Sequence, residues 1–97
     1  MEFEFEDRDL EELYLTGSGP RARRLPAELV PQFFAVMGFI RRAKDERDLR
    51  ALKGRHFEKL KGDRRGTYSM RLHRQFRLLF RIESEVMWIE SIEDYHR

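Results

Sequence analysis

The sequence predicts an α+β domain, with an N-terminal strand and two helices packed on one face of a small antiparallel sheet. Three observations carry that reading. Apolar residues alternate at the N-terminus and again from Tyr68 onward, the period of strands with one buried face. Between these stretches they recur every third or fourth position, as on an amphipathic helix. Helical patterning comes first and strand patterning second, which segregates helices from sheet instead of alternating them.

In Met1–Glu6, Phe3 and Phe5 alternate with Glu2, Glu4 and Glu6, predicting the first strand. Asp7 or Asp9 can cap a short helix with Leu10, Leu13 and Tyr14 on one side, and Gly17 stops it. TGSGPRARRLP is expected to be a loop from its Gly, Ser and Pro content. From about Ala27 to Lys44, Leu29, Phe33, Val36, Met37 and Ile40 mark the longer helix. Pro31 suits its first turn and Pro26 a separate turn before it. Lys44–Lys53 is charged and reads as a last helical piece before Gly54.

The second half reads as a meander. Tyr68, Met70 and Leu72 share one face and Thr67, Ser69 and Arg71 the other. After a turn at His73-Arg74, Phe76, Leu78, Phe80 and Ile82 face one way, with Arg77, Leu79 and Arg81 opposite. Glu83-Ser84-Glu85 turns into a third strand, Val86–Ile92. Short connections of this kind join antiparallel strands. With helices on one sheet face, Arg71, Arg77 and Arg81 would stand on the open one.

The 97 residues read as a single domain, 1–97, with no internal repeat. Without cysteine there is no disulfide framework and no thiolate ligand or nucleophile, which fits a reducing compartment. The acidic N-terminus does not resemble a signal peptide, and no apolar run approaches a membrane span, so a cytoplasmic protein without membrane contact is expected. A net charge of +2 hides strong segregation. Residues 41–81 carry fifteen Lys/Arg against five acids, a net +10, whereas residues 1–20 carry one Arg against seven acids, a net −6. A polyanion responds to the basic block and not to the average.

LKGDRRGTYSMRLHRQFRLLFRI, Leu60 to Ile82, joined by Asp94-Tyr95-His96, is the stretch with chemical content. Cleaving RNA at a 2′-hydroxyl needs a proton acceptor, a proton donor for the leaving 5′-oxygen, and fixed cations for the extra charge. Lys61, Arg71 and Arg77 are the candidate cations, and Arg77 leads because Phe76 and Leu78 should anchor it from the core side. Asp94, Tyr95 and His96 are the candidate proton-transfer groups, His being the one that titrates near neutral pH unaided. No metal spacing is visible, and neither metal nor cofactor is expected. Each residue also has an ordinary structural use. Arg77 can pair with Asp94 or Glu90 across strands, Lys61-Gly62-Asp63 can be a turn, and Tyr95 can close the core. His56 and His73 are assigned no chemistry, and Trp88, Phe33, Phe76 and Phe80 read as core.

Taken together, the motif resembles the HigB group (plasmid maintenance killer proteins) of the RelE/ParE toxin superfamily. That group shows Leu-Lys-Gly-Asp/Lys-Arg-x-Gly-x-(Tyr/Trp)-Ser-Ile-Arg, then an aromatic-Arg-(Ile/Leu)-x-Phe strand and a terminal Asp-Tyr-His. Leu60, Lys61, Gly62, Asp63, Arg64, Gly66, Tyr68, Ser69, Arg71, Phe76, Arg77, Leu78, Phe80, Asp94, Tyr95 and His96 match. The resemblance is specific over about residues 48–96 and architectural before that. It implies a RelE-like fold and a metal-independent, ribosome-dependent endoribonuclease that cuts messenger RNA. It also implies inhibition by a helix-turn-helix antitoxin of the HigA kind. By the same resemblance Lys61 and Arg77 hold the scissile phosphate, and Asp94, Tyr95 and His96 align the nucleophile and move protons. Arg64 and Arg71 contact RNA backbone, and Lys59 and Arg81 complete the expected RNA-binding set. Some members carry His near the position of Glu58, so no catalytic role is carried over to that Glu. Other readings are a gyrase poison of the same fold, like ParE, and a non-catalytic basic RNA-binding domain.

Overall fold

The computed structural model describes residues 1–64 and 66–95. Strand β1 (Glu2–Phe5) leads into helices α1 (Arg8–Thr16), α2 (Pro20–Arg24), α3 (Leu29–Arg42) and α4 (Glu46–Arg50). Then come β2 (Glu58–Lys59), β3 (Tyr68–His73), β4 (Phe76–Glu83) and β5 (Val86–Asp94). One-turn 3₁₀ segments at Lys53–Arg55 and Gly62–Arg64 flank β2.

Local chemistry explains most boundaries. The Asp7 carboxylate accepts from the Asp9 and Leu10 amides and opens α1. Gly17, at φ 73°, closes it with its amide on the Leu13 carbonyl, a left-handed cap that glycine adopts without cost. Pro31 lies in the first turn of α3, where a missing amide costs no helical bond. Asp45 caps α4 by accepting from the Arg47 amide.

The stretch expected to be wholly loop, TGSGPRARRLP, instead contains α2. Its Pro20 occupies the first turn, pre-set for helix, and Arg21 donates from Nη2 to the Ile92 carbonyl at 2.9 Å. That contact is tertiary, so composition alone does not reveal it. The third meander strand also runs past Ile92 to Asp94.

The sheet order is β1-β5-β4-β3-β2. Its meander is antiparallel as expected, but β1 joins the edge parallel to β5, with Phe3 beside Met87 and Phe5 beside Ile89. Phe3 and Phe5 thus extend the same apolar face. β4 and β5 slip register between Leu79 and Phe80, leaving Glu90 as the extra residue between Ile89 and Ser91, a β-bulge. The bulge reverses the alternation, so Met87, Ile89 and Ile92 all join the core.

That core lies between sheet and helices. Leu10 and Leu13 of α1 and Leu29, Phe33, Val36, Met37 and Ile40 of α3 meet Met70, Leu72, Leu78, Phe80, Met87 and Ile89, nearly all with no exposed surface. Truncating a side chain such as Phe33 to Ala costs about 3–5 kcal/mol in such a setting. The opposite face carries Ser69, Arg71, Arg77, Arg81 and Glu93 at the paired positions of β3, β4 and β5. No helix among the described residues is long and apolar enough to cross a membrane.

Candidate functional site

The open face carries the candidate cations Arg71 and Arg77. Arg71 and Arg77 stand directly opposite each other in the β3–β4 register, and Arg77 is opposite Glu93 in the β4–β5 register. Like charges paired across strands are unfavourable unless an anion relieves them. Arg71 is exposed at one end of this row and Glu93 stands at the other, beside Arg77.

Arg77 is fixed in detail. Its Nε donates to Ser69 Oγ at 2.7 Å and its Nη2 to the Ser69 carbonyl at 3.3 Å. Nη2 also donates to the His56 carbonyl, over a short contact. The carboxylate nearest to it is Glu58, at 3.6 Å, and not the Asp94 or Glu90 that strand pairing alone allows. His56 presents its carbonyl from a left-handed backbone, φ 47°, uncommon for a residue with a side chain. The Arg77 side chain is 12% exposed.

The Lys61 loop is folded back on itself. The Leu60 amide donates to the Thr67 carbonyl and the Thr67 amide to the Arg64 carbonyl, both at 2.9 Å. Gly62 and Gly66 sit at φ 69° and 93°, with open space where a Cβ would stand, so backbone conformation and not crowding requires glycine. Lys59 and Lys61 are exposed. With Leu60 and Gly62 they line a shallow cleft of about 400 Å³.

An ion pair joins this loop to the end of β5. Arg64 Nη1 lies 2.8 Å from Glu93 Oε1. The hydrogen bond and charge of Glu93 hold the Arg64 guanidinium above its usual range, and Tyr95 and Glu90 add smaller effects. Tyr95 is 37% exposed, and its amide donates to the Gln75 carbonyl at 2.9 Å. Asp94 is exposed on the last position of β5, opposite Phe76. His96 lies outside the described residues. The loop with Lys61 and Arg64 therefore meets the strand end with Asp94 and Tyr95, although some thirty residues separate them in sequence.

Arg81, expected beside Arg71 and Arg77 on the open face, occupies a different environment. Its Nε donates to Glu90 Oε2 at 2.8 Å, its Nη1 lies 3.0 Å from Glu83 Oε2, and its Nη2 contacts Glu6. Three carboxylates thus surround one guanidinium. The basic segment at the start of the block is likewise satisfied locally, Arg47 by Asp45 and Arg50 by Glu46.

Sequence reading missed Glu93, Ser69 and the His56 carbonyl. Ser69 carried a signal, since period two sets it on the Arg77 side of the sheet. Glu93 carried none, because the bulge at Glu90 decides which way it points. A hollow of about 960 Å³ beside Met1, Lys44, Arg47 and Ser84 shares no residue with this site. Among the described residues no group of three or more His, Asp or Glu is arranged to hold a metal ion.

Comparison with known proteins adds independent information. A family model described as RelE-like toxin of type II toxin-antitoxin system HigB matches residues 3–96. Toxin HigB-1 of Vibrio cholerae is 32% identical over 92 residues, covering 95% of this chain and 88% of that protein. In solved structures the fold recurs in the YoeB–YefM complex from Staphylococcus aureus, at TM-score 0.61 and 20% identity over 100% of this chain and 98% of that one. It recurs in YafQ from E. coli at TM-score 0.60 and 10% identity, covering 96% and 91%. It is also found in the RelBE2 complex from Mycobacterium tuberculosis at TM-score 0.53 and 21% identity, covering 96% and 95%.

Proposed function

The chain belongs to the HigB family of RelE-like toxins of type II toxin–antitoxin systems, and from that membership we propose that it cleaves messenger RNA on the ribosome without a metal. The reaction is attack of a 2′-hydroxyl on the adjacent phosphate. Arg77 and Lys61 grip the scissile phosphate and stabilise the charge that builds on it. Asp94, Tyr95 and His96 orient the nucleophile and carry the proton to the leaving 5′-oxygen. Arg64, Arg71 and Lys59 hold the flanking backbone. Arg81 is left out of the RNA contacts, because its three carboxylate partners already balance it.

The observation that carries this reading is the Arg64–Glu93 ion pair. It closes the cationic loop onto the strand end that bears the proton-transfer groups. Cations gathered beside groups able to move protons support cleavage over RNA binding alone.

A toxin–antitoxin system supplies an antitoxin partner, and for this chain we infer a helix-turn-helix protein with an acidic surface facing the basic block. Both partners then act in the cytoplasm, where ribosomes and messages are.

Primer extension on ribosome-bound messages after induction tests the proposal. Cuts phased to codons, absent with Arg77→Ala and reduced with Tyr95→Phe, are expected. Intact messages together with gyrase-linked DNA breaks would overturn it.

A further inference from the structure

We infer that Ser69 is a positioning residue, whose buried hydroxyl and carbonyl set the direction from which Arg77 meets a phosphate. The inference rests on the RNA-cleavage reading above and adds a residue to it.

Ser69, the second residue of β3, is fully buried, between Glu58 of β2 and Leu79 of β4 in the sheet register. A buried hydroxyl needs a partner, and here the partner is Arg77 Nε at 2.7 Å. A guanidinium has five N–H donors in a rigid plane. The Ser69 hydroxyl takes the one on Nε, and the carbonyls of Ser69 and His56 take those on Nη2. The two on Nη1 carry no hydrogen bond among the described residues. The protein thus occupies the Nε–Nη2 side of the fork that would otherwise bind an anion in bidentate fashion, leaving Nη1 for the ligand.

All three acceptors are neutral. They orient the guanidinium by dipoles without cancelling its charge, which the Glu58 contact at 3.6 Å offsets only weakly. A phosphate arriving at Nη1 meets a full positive charge already held in place, so binding requires little reordering of the side chain. With Ser69→Ala, Nε loses its acceptor and the planar group is free to rotate about its stem.

The test uses the whole chain and five proteins: parent, Ser69→Ala, Ser69→Thr, Arg77→Ala and Ser69→Ala/Arg77→Ala. Three readouts are combined: single-turnover cleavage of a ribosome-bound message, affinity for a short RNA, and the NMR signal of the Arg77 Nε–H. Ser69→Ala should lower cleavage about ten- to a hundredfold, the fold-change that a hydrogen bond to a charged group is worth. Its melting temperature should fall by about 4–8 °C, the scale for a largely buried donor left without its acceptor. It should add almost nothing to Arg77→Ala, because both act through the same guanidinium. Ser69→Thr keeps the hydroxyl and should recover most of the activity.

A sharp Nε–H signal in the parent that broadens or shifts only in Ser69→Ala would support the bracket directly. Parent-like cleavage by Ser69→Ala, or a loss that multiplies fully with Arg77→Ala, would overturn the inference. If the parent itself cuts no message, the cleavage reading fails. The Nε–H signal and RNA affinity then still decide whether Ser69 positions Arg77.

Discussion

Arg77 and Arg81 lie four residues apart on β4 and face the same side of the sheet, yet they serve opposite ends. Arg81 is ringed by Glu6, Glu83 and Glu90. Arg77 is held by a hydroxyl and two carbonyls, with one carboxylate at a distance. A charge surrounded by carboxylates is neutralised and ties elements together, here β4, β5 and the residue that follows β1. A charge surrounded by neutral dipoles is oriented and still available. Local counter-charge, more than sequence position, separates a structural arginine from one that can bind an anion.

The largest expected effect comes from removing the available charge. Arg77→Ala should lower cleavage of ribosome-bound message by about 10²–10³-fold, the scale for losing a fixed donor to a developing anion. Arg77→Lys should restore little, since one ammonium cannot satisfy the bracket and the phosphate together. The mirror experiment is Arg81→Ala, for which cleavage should stay within about twofold of the parent while the fold weakens by about 1 kcal/mol. For a domain of this size that is a fall of about 4–8 °C in Tm, read by thermal denaturation. A large loss of activity at an unchanged Tm would erase the distinction between the two arginines.

The contrast can also be narrowed from the other side. Changing Glu6, Glu83 and Glu90 together to Gln should turn Arg81 into a free cation. The plot of log affinity for RNA against log salt should then steepen by about one unit. The smallest effect is expected from Glu58→Gln, which removes the carboxylate 3.6 Å from Arg77. RNA affinity should rise by no more than about fivefold, the equivalent of an exposed ion pair. A fall in affinity would mean that Glu58 assists binding instead of opposing it.

Much of this was legible in the sequence because it depends on local period. Phe33, Met37 and Ile40 announced α3, and the alternation from Tyr68 to Ile82 set Arg71 and Arg77 on the open face. The motif ending in Asp94-Tyr95-His96 indicated the family. What stayed hidden depends on long-range geometry. α2 needs the Ile92 carbonyl to hold Arg21, and the parallel pairing of β1 joins residues more than eighty apart. The bulge at Glu90 fixes the side on which Glu93 stands, and through Glu93 it fixes Arg64. The cage around Arg81 draws Glu6 from the N-terminal segment, which no reading of β4 alone would find. Period two could show that Ser69 faces Arg77, but not that its hydroxyl bonds to Nε.

The β1–β5 pairing bears on how the chain is born. Among the described residues β1 is the first strand in sequence and β5 the last, and β1 pairs with β5 alone. Such a distant contact closes late. A growing chain can assemble α1 and α3 while β1 waits unpaired for residues 86–94. The same residues bring Glu93 to Arg64 and place Asp94 and Tyr95. The strand that closes the sheet against β1 is therefore also the one that carries Glu93 to Arg64 at the candidate site.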